Sequence, residues 1–354
     1  MNNPAFDSLQ IIGSRPSGGA ERFYVRLVQS LNAAGHRALA VNQPGSAVST
    51  ALGDDYSQHR VRMLGVWDRL ARRRFQRLAR AHQVRVVQTY MGRATRIYRT
   101  SRGGPVHVAR LGGFYDLSGY RHADAWVGNT RGICDHLIRG GMPANRVYHI
   151  GNFVAIALPP PPTVARARFG LGEDDLVLGF VGRLHPNKGA QYLLEAFARI
   201  APCLRGRTTK LVIAGDGPLA PALKRRAEEL NLTNRVVWTG WLTEPGPAYA
   251  VMDVFVSPSV HEPLGNVVLE AWACGLPVIA TRSQGPLELI EHDTNGVLVP
   301  ISKPCDLAAA AETLLLDESA RQVLGEAGRA ALRATHSEGQ VTDAYLDLYA
   351  ELQK

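Results

Sequence analysis

Two carboxylates and two cations are the side chains of this sequence best suited to act together chemically. Glu262 and Glu270 lie eight residues apart in the stretch HEPLGNVVLEAWACGLPVIA. Arg183 and Lys188 lie in the earlier stretch GRLHPNKG. Cations beside a glycine can stabilise a diphosphate leaving group, and carboxylates accept hydrogen bonds from hydroxyl groups. The set suits a ligand that is anionic in the middle and carries hydroxyls at both ends, which is the shape of a nucleotide sugar.

A strand, a loop and a helix must position the two acids. The apolar run Val254 to Val256 predicts a short buried strand of a parallel sheet, and the loop after it delivers Glu262. Pro263 suits the first turn of a helix that stops at Gly275. On such a helix Glu270 is two turns beyond Glu262, so we expect both carboxylates on one face.

The start of this helix is a predicted anion site. Gly265 lets the backbone come close to a ligand, and the first N–H groups of a helix have no partners within it. We expect the ligand to contact the residues around this first turn: Pro263, Leu264, Gly265, Asn266 and Val267.

Two earlier strands also end in glycine turns. Leu176 to Val181 predicts a buried strand that leads into Gly182 and the two cations. Leu211 to Gly217 repeats the pattern, and the sequence from Gly215 onwards formally matches the G-x-G-x-x-A turn of nicotinamide-binding proteins. No acidic residue ends the next strand, Val236 to Trp238, to hold a ribose, which argues against that cofactor.

The combined pattern resembles a known enzyme family. Glu262, seven residues and Glu270, followed by GLPVIA and Glu288, resemble the retaining glycosyltransferases of the GT-B fold, family 4, also called glycosyl transferases group 1. The resemblance is strong from Leu176 to Pro300 and weaker before Asn152. It implies an α/β protein of two Rossmann-like domains facing each other across a cleft. The second domain would bind mainly the donor and the first mainly the acceptor.

The resemblance also implies a reaction. A sugar moves from a nucleoside diphosphate sugar to a hydroxyl of a saccharide acceptor, with retention at the anomeric carbon and without a metal or cofactor. Arg183 and Lys188 are implied to stabilise the departing diphosphate. Glu262 is implied to hold the donor sugar, and Glu270 the ribose. Further implied donor contacts come from strand ends, at Gly182, Gly215, Trp241 and Leu242.

The first domain offers a less complete site. A strand, glycine turn and helix unit opens the chain, and the resemblance implies that its Gly18 and Gly19 lie beside the donor diphosphate. Arg110 and Gly112 are candidates because ligands bind at the carboxyl ends of parallel strands. Many relatives carry a histidine at this strand end. Here His107 lies further back in the strand, where a histidine is more often a core residue.

Length and proline content predict the domain organisation. The chain has 354 residues and 45% hydrophobic content, enough for two cores. We predict an acceptor domain at 1–155, a proline-rich linker at 156–162 and a nucleotide-sugar-binding domain at 163–334. A last helix at 335–354 is expected to cross back to the first domain. The four cysteines lie far apart, which predicts reduced thiols and no zinc site.

Positive charge is concentrated in one segment. Fourteen arginines and a single acid, Asp68, lie between Arg60 and Arg110, in a chain of net charge +9. Such a face can meet anionic lipid headgroups, a phosphorylated glycolipid or nucleic acid. Nucleic acid is disfavoured because no aromatic-interleaved or zinc-finger motif accompanies the charge. The spacing predicts a basic amphipathic helix from Trp67 to His82 whose apolar residues face inward: Trp67, Leu70, Phe75 and Leu78.

The same features suggest where the protein works. No apolar run approaches the roughly 20 residues of a membrane-spanning helix, and the N-terminus lacks the pattern of a signal peptide. We expect a cytoplasmic protein, peripheral on the cytoplasmic face of the inner membrane. Its acceptor would be lipid-linked, such as a lipopolysaccharide core or another envelope glycan.

Two other functions fit the pattern. A GT-B epimerase would cleave and rebuild the same sugar–diphosphate bond, and would consume nucleotide sugar without an acceptor. A non-catalytic protein would bind sugar nucleotide, or nucleic acid through its arginine face, without turnover. The joint presence of Arg183, Lys188, Glu262 and Glu270 argues against the non-catalytic alternative.

Overall fold

A computed structural model describes residues 6–16, 18–155 and 160–354. The chain forms two compact units, one of Met1–Phe153 with His336–Lys354 and one of Val154–Thr335. The predicted linker at 156–162 falls largely on residues 156–159, which lie outside the described ranges. Its last residue belongs to a helix instead, because proline is well tolerated in the first helical turn.

The first unit is built on a parallel sheet of seven strands. Their order across the sheet is β3-β2-β1-β4-β5-β6-β7. The order reverses beside β1, which is the doubly wound arrangement that places ligands at the carboxyl edge. The strands are β1 Ser8–Ile12, β2 Ala38–Asn42, β3 Gln58–Arg60, β4 Val86–Tyr90, β5 Val106–Leu111, β6 Ala125–Gly128 and β7 Val147–His149.

In the part of the unit that the structure describes, five α-helices connect these strands. Their buried faces pack on the sheet, with Phe23 and Leu27 of the first helix fully enclosed. They are α1 Gly19–Ala33, α2 Ala47–Leu52, α3 Arg69–Ala81, α4 Met91–Ile97 and α5 Arg131–Arg139.

The second unit has a similar parallel sheet, in the order β11-β10-β8-β12-β13-β14, with β9 antiparallel to β10. Its central strands are almost entirely apolar because helices cover both faces. The strands are β8 Leu176–Val181, β9 Cys203–Leu204, β10 Arg207–Ala214, β11 Val236–Gly240, β12 Val254–Ser257, β13 Val278–Thr281 and β14 Val297–Val299. The helices are α6 Pro162–Phe169, α7 Ala190–Phe197, α8 Ala220–Glu229, α9 Gly246–Ala250, α10 Asn266–Ala273, α11 Gln284–Leu289, α12 Pro304–Leu316 and α13 Glu318–Thr335.

The last helix, α14 Glu338–Glu351, packs into the core of the first unit. Tyr345 and Tyr349 are fully buried there. The Tyr349 hydroxyl donates to Gln88 Oε1 at 3.0 Å and lies 3.2 Å from Gln10 Nε2, so it bridges side chains of β1 and β4. The polar contacts fix the helix in one register on an otherwise apolar surface.

The start of α3 differs from the prediction. Phe75 and Leu78 are buried as expected, but Trp67 and Leu70 point into solvent. The expectation that they face inward is wrong, because the helix buries Ala71, which shares the core face with Phe75 and Leu78 at the spacing i, i+4, i+7.

Two parallel α/β sheets with covered faces make up the described chain, and the predicted fold class is confirmed. Within the described ranges, no helix has both the length and the apolar character needed to cross a bilayer.

Candidate active site

Glycine contacts hold together the loops that follow three neighbouring strands of the second unit. Gly182 N donates to Ala214 O at 2.9 Å, and Gly215 N donates to Gly240 O at 2.9 Å. A Cβ at Gly215 would clash with the carbonyl oxygen of Gly182, so no larger residue fits between these loops. The loops after β8, β10 and β11 therefore form one continuous edge at the carboxyl ends of the strands, where ligands bind in such sheets.

A similar contact joins the loop after β8 to the loop after β12. Gly189 adopts a left-handed conformation with φ of 68°, and a Cβ there would clash with the carbonyl oxygen of Pro258. Val260 N also donates to Asn187 O at 2.8 Å. This packing brings together Lys188 and Glu262, which are 74 residues apart in the chain.

Lys188 and Glu262 form an ion pair between Nζ and Oε2. The Glu262 side chain is buried, and Ser259 Oγ lies 3.2 Å from the same carboxylate oxygen. Lys188 is half-buried, and Arg183 on the same loop is exposed. The loop after β8 thus presents two cations, one held in place by a buried acid.

Helix α10 begins four residues after Glu262, with Gly265 as its N-cap at φ of 97°. The positive end of this helix adds to the field of the cations. Pro263 and Leu264 precede the helix, so the expectation that Pro263 lies in its first turn is wrong. Glu262 also lies before the helix, so the expectation that Glu262 and Glu270 share one helical face is wrong. The chain turns between the two acids.

Glu270 lies inside α10 and is buried. The Tyr249 hydroxyl donates to its Oε2 at 3.0 Å. This contact occupies one side of the carboxylate and fixes its orientation. A carboxylate held in this way can accept hydrogen bonds from hydroxyl groups.

Trp241 and Leu242 directly follow Gly240, the last residue of β11, where the chain turns at φ of 68°. Trp241 is half exposed, and Leu242 packs partly on the core. Both belong to the same carboxyl edge as Gly182 and Gly215.

The predicted residues of the first unit have different surroundings. Gly18 is the N-cap of α1 and Gly19 its first residue. The carboxylate of Glu21 lies so close that a Cβ at Gly18 would be 2.8 Å from Oε2. Glu21 is buried, and its negative charge beside these amides disfavours binding of a diphosphate there. Glu21 is not among the residues predicted from the sequence.

Arg110 is buried at the end of β5 and is committed to structural contacts. Its Nε donates to the Tyr345 hydroxyl of α14 at 3.1 Å, and Nη2 donates to Asn152 Oδ1. The guanidinium stacks on the Phe23 ring, 4.1 Å from its centroid. Gly112 lies beside it, since a Cβ there would be 3.5 Å from Nη1. Arg110 therefore anchors the last helix.

Comparison with known proteins decides the family. Residues 175–317 match the family model described as glycosyl transferases group 1. The lipopolysaccharide core biosynthesis glycosyltransferases LpsE and LpsD of Rhizobium meliloti are each 33% identical to this chain. LpsE aligns over 94% of the chain and 96% of its own length, and LpsD over 94% and 95%. The chain belongs to the group 1 glycosyltransferases.

The solved structures agree on the fold. HepE of Anabaena, crystallised with UDP and glucose, superposes with a TM-score of 0.84 over 98% of this chain and 99% of its own, at 20% identity. The resemblance drawn from the residues is thus confirmed, and this group 1 glycosyltransferase has the GT-B fold.

Two histidines of the glycosyltransferase lie in the core or against it. His107 is fully buried, with Nε2 2.9 Å from Thr89 Oγ1, and burial holds its pKa well below the ordinary value. His122 lies against it, and burial together with the Arg99 guanidinium lowers its pKa to about 4. Both therefore stay neutral, as core residues do.

Ser259, Tyr249 and Asn187 support the site, yet nothing in the sequence marked them. Tyr249 and Asn187 act through contacts that join segments far apart in the chain, so no local pattern identifies them, whereas Ser259 contacts Glu262 from three residues away in the same loop. Across the described ranges, no group of three or more histidine, cysteine or acidic side chains is arranged to hold a metal ion.

Proposed function

We propose that this glycosyltransferase moves a sugar from a nucleoside diphosphate sugar to a hydroxyl of a lipid-linked saccharide, with retention and without a metal. The observation that carries the proposal is the pairing of Lys188 with buried Glu262 beside exposed Arg183 and the start of α10. Positive charge gathers where a diphosphate would depart, and carboxylates flank it where hydroxyls would lie.

The cations would supply the stabilisation that a metal ion gives in other transferases. Preorganised charges aimed at a developing anion are typically the largest single contribution to catalysis. Lys188 is held by Glu262 before substrate arrives, so it loses little freedom on binding. Departure of the diphosphate would then be aided by Lys188, Arg183 and the α10 N-terminus together.

Each carboxylate would accept hydrogen bonds from the hydroxyl groups of a different part of the donor. Glu270, oriented by Tyr249, would accept from the ribose, and Glu262 would accept from the donor sugar. A carboxylate paired with a cation is a weak nucleophile, which favours retention through reaction on one face of the sugar rather than through a covalent intermediate.

The acceptor class follows from the relatives and from charge. LpsE and LpsD are named for lipopolysaccharide core biosynthesis and align over nearly their whole length. A lipid-linked core saccharide, or a related envelope glycan, is the acceptor proposed for this chain. Exposed arginines of α3, among them Arg73, Arg74 and Arg77, would hold the enzyme at the anionic cytoplasmic face of the inner membrane.

Release of nucleoside diphosphate from a panel of nucleotide sugars, beginning with UDP-sugars, tests the proposal on the full chain with envelope glycan acceptors. We expect release to require acceptor, to survive chelator, and to yield a product that keeps the donor's anomeric configuration by NMR. Arg183→Ala should lower kcat by about a hundredfold or more, since one charge facing the leaving group is lost.

Arg225→Ala is the matched control, an exposed arginine of α8 away from the site. It should keep normal turnover and the same unfolding temperature as Arg183→Ala. Near-normal kcat in Arg183→Ala would contradict the proposed role of the cation. Nucleotide sugar consumed without any acceptor would indicate the epimerase instead.

A further inference from the structure

The first unit carries a cluster of exposed apolar side chains that the fold does not use. Leu64, Trp67 and Leu70 are 86%, 79% and 76% exposed, the highest values among large apolar residues of the described ranges. They recur every three residues at the turn that opens α3. We call these three residues the apolar tip.

The apolar tip is held rigidly. The Asp68 carboxylate accepts from Ala71 N at 2.9 Å and from Leu64 N at 3.0 Å, so one side chain caps α3 and closes the turn before it. In many helices the residue before the N-cap packs on an apolar residue five positions later. Here that residue is Arg72, whose Nε donates to Ile97 O at 2.9 Å. Trp67 is thus fixed in the turn without an apolar partner of this kind.

Cations surround the tip. Exposed arginines precede, interrupt and follow it, and we call them the basic rim: Arg62, Arg69, Arg73 and Arg74. Asp68, the acid of this turn, is occupied by its two backbone contacts. Tryptophan favours the boundary between headgroups and acyl chains, and arginine attracts anionic headgroups. Apolar side chains ringed by arginines match the surface of an anionic bilayer.

Sheet topology gives the tip its place. In a parallel sheet the connecting helices run opposite to the strands, so the start of α3 lies at the edge where the strands end. Arg80, eleven residues along α3 from Arg69, lies about 16 Å away towards the other edge. The tip is therefore on the ligand-binding edge of the first unit.

We propose that the apolar tip inserts into an anionic bilayer, with the basic rim on the headgroups, and so orients the ligand-binding edge of the first unit towards the membrane. This rests on the proposed function in one respect, that the acceptor is membrane-borne. Insertion differs from electrostatic attraction because it resists salt. The screening length between charges falls to about 3 Å near 1 M salt, whereas the free energy gained by burying apolar area remains.

Sedimentation of the full chain with phosphatidylglycerol–phosphatidylcholine vesicles tests insertion without nucleotide. We expect wild type to bind at low salt and to keep part of this binding near 1 M salt. Changing the tip by Leu64→Ser, Trp67→Ser and Leu70→Ser should lower salt-resistant binding by about tenfold or more. Val164→Ser with Val323→Ser, exposed apolar positions of the second unit, should leave it unchanged.

The position of the tip is tested by tryptophan quenching with bromine-labelled lipid. Quenching should largely disappear in Trp67→Phe and persist in Trp241→Phe, whose tryptophan is also exposed but belongs to the second unit. Arg73→Glu with Arg74→Glu should reduce low-salt binding more than Arg80→Glu with Arg102→Glu, because the latter pair is away from the tip.

Three results would overturn the inference. They are salt-resistant binding by the tip variant equal to wild type, quenching that survives Trp67→Phe, and an oligomer in vesicle-free solution that the tip variant converts to monomer. The last would assign the tip to a second copy of the chain. Calorimetry of UDP with the tip variant keeps this outcome separate from the proposed function, since we expect nucleotide binding to be the same as in wild type.

Discussion

Lys188 and Glu262 neutralise each other when no ligand is bound, and this pairing shapes what each can do. In the proposed function, a diphosphate would compete with Glu262 for the lysine, and a donor sugar would compete with the lysine for Glu262. Both exchanges would occur together when donor binds, because Lys188 and Glu262 would each gain a new partner. The pair therefore holds an ammonium and a carboxylate in position before the ligand binds, while the buried charge of Glu262 stays compensated.

Glu270→Gln should weaken nucleoside diphosphate binding by about tenfold or more, because a ribose diol donates to a carboxylate better than to an amide. Glu262→Gln should not weaken this affinity, because it frees Lys188 for the diphosphate, and it should lower kcat. Calorimetry with free nucleoside diphosphate measures the first effect, and steady-state kinetics the second. Equal affinity of wild type and Glu270→Gln for the nucleotide would refute the ribose role.

Tyr249→Phe serves as the partner experiment for Glu270. It removes the donor to Oε2 but leaves the carboxylate charge in place. A smaller loss of affinity than in Glu270→Gln is expected, since orientation is impaired and charge is not.

At the scale of elements, glycines at strand ends decide how closely the loops approach. The sequence predicted that β8 leads into a glycine turn with two cations and that a loop after β12 carries an acid. It could not predict that Lys188 meets Glu262, because the contact depends on Gly189 touching the Pro258 backbone, a packing with no local signature.

The start of α3 shows the converse limit of sequence reasoning. The spacing of Phe75 and Leu78 correctly predicts the buried face. The prediction that the large residues Trp67 and Leu70 share this face is wrong, because the small residue Ala71 lies there instead. Periodicity identifies Ala71 as their neighbour, and Trp67 precedes the helix and so does not share its period. Size favours burial only where the backbone directs the side chain inward.

Gly189→Ala tests whether the loop contact positions the site. The Cβ would clash with Pro258 O and also strain a residue with positive φ, so Lys188 should be displaced and kcat should fall about tenfold or more. Stability should fall by about 1 kcal/mol or more. Kinetics and denaturant unfolding of the same sample measure the two.

Gly170→Ala isolates the conformational cost. Gly170 has φ of 64°, close to that of Gly189, but a Cβ there would meet nothing within 4 Å. It should lose stability from backbone strain and keep its turnover. If both variants have the same kcat, the contact with Pro258 does not position Lys188.

At the scale of the molecule, histidines with lowered pKa values should make the first unit sensitive to acid. The histidines whose pKa is lowered are His36, His59, His107, His122 and His336. All five belong to the first unit, and burial is the first cause in each.

The first unit should therefore lose stability as pH falls below about 6.5, the ordinary histidine pKa. Above that pH these histidines are neutral in both states and contribute nothing. Below about pH 6.5 the histidines bind protons in the unfolded chain but not in the folded unit. For His122 this difference persists down to about pH 4, its pKa in the folded unit. His107, the fully buried one of the five, then costs about 1.4 kcal/mol of unfolding free energy per pH unit over the range between its unfolded and folded pKa values.

Peptide-resolved hydrogen exchange at pH 7.5 and 5.5, corrected for the intrinsic exchange rate, distinguishes the units within the intact chain. Protection should fall more at pH 5.5 in β4, β5 and α14 than in β8, β12 and α10. His122→Asn should lessen the difference, since it removes one group that protonates only on unfolding. Equal loss of protection in both units would mean that the buried histidines do not control acid stability.

Three aspartates whose pKa values are lowered would reduce the stability of the first unit further, but only in more acidic solution, below about pH 4. They are Asp7, Asp68 and Asp116.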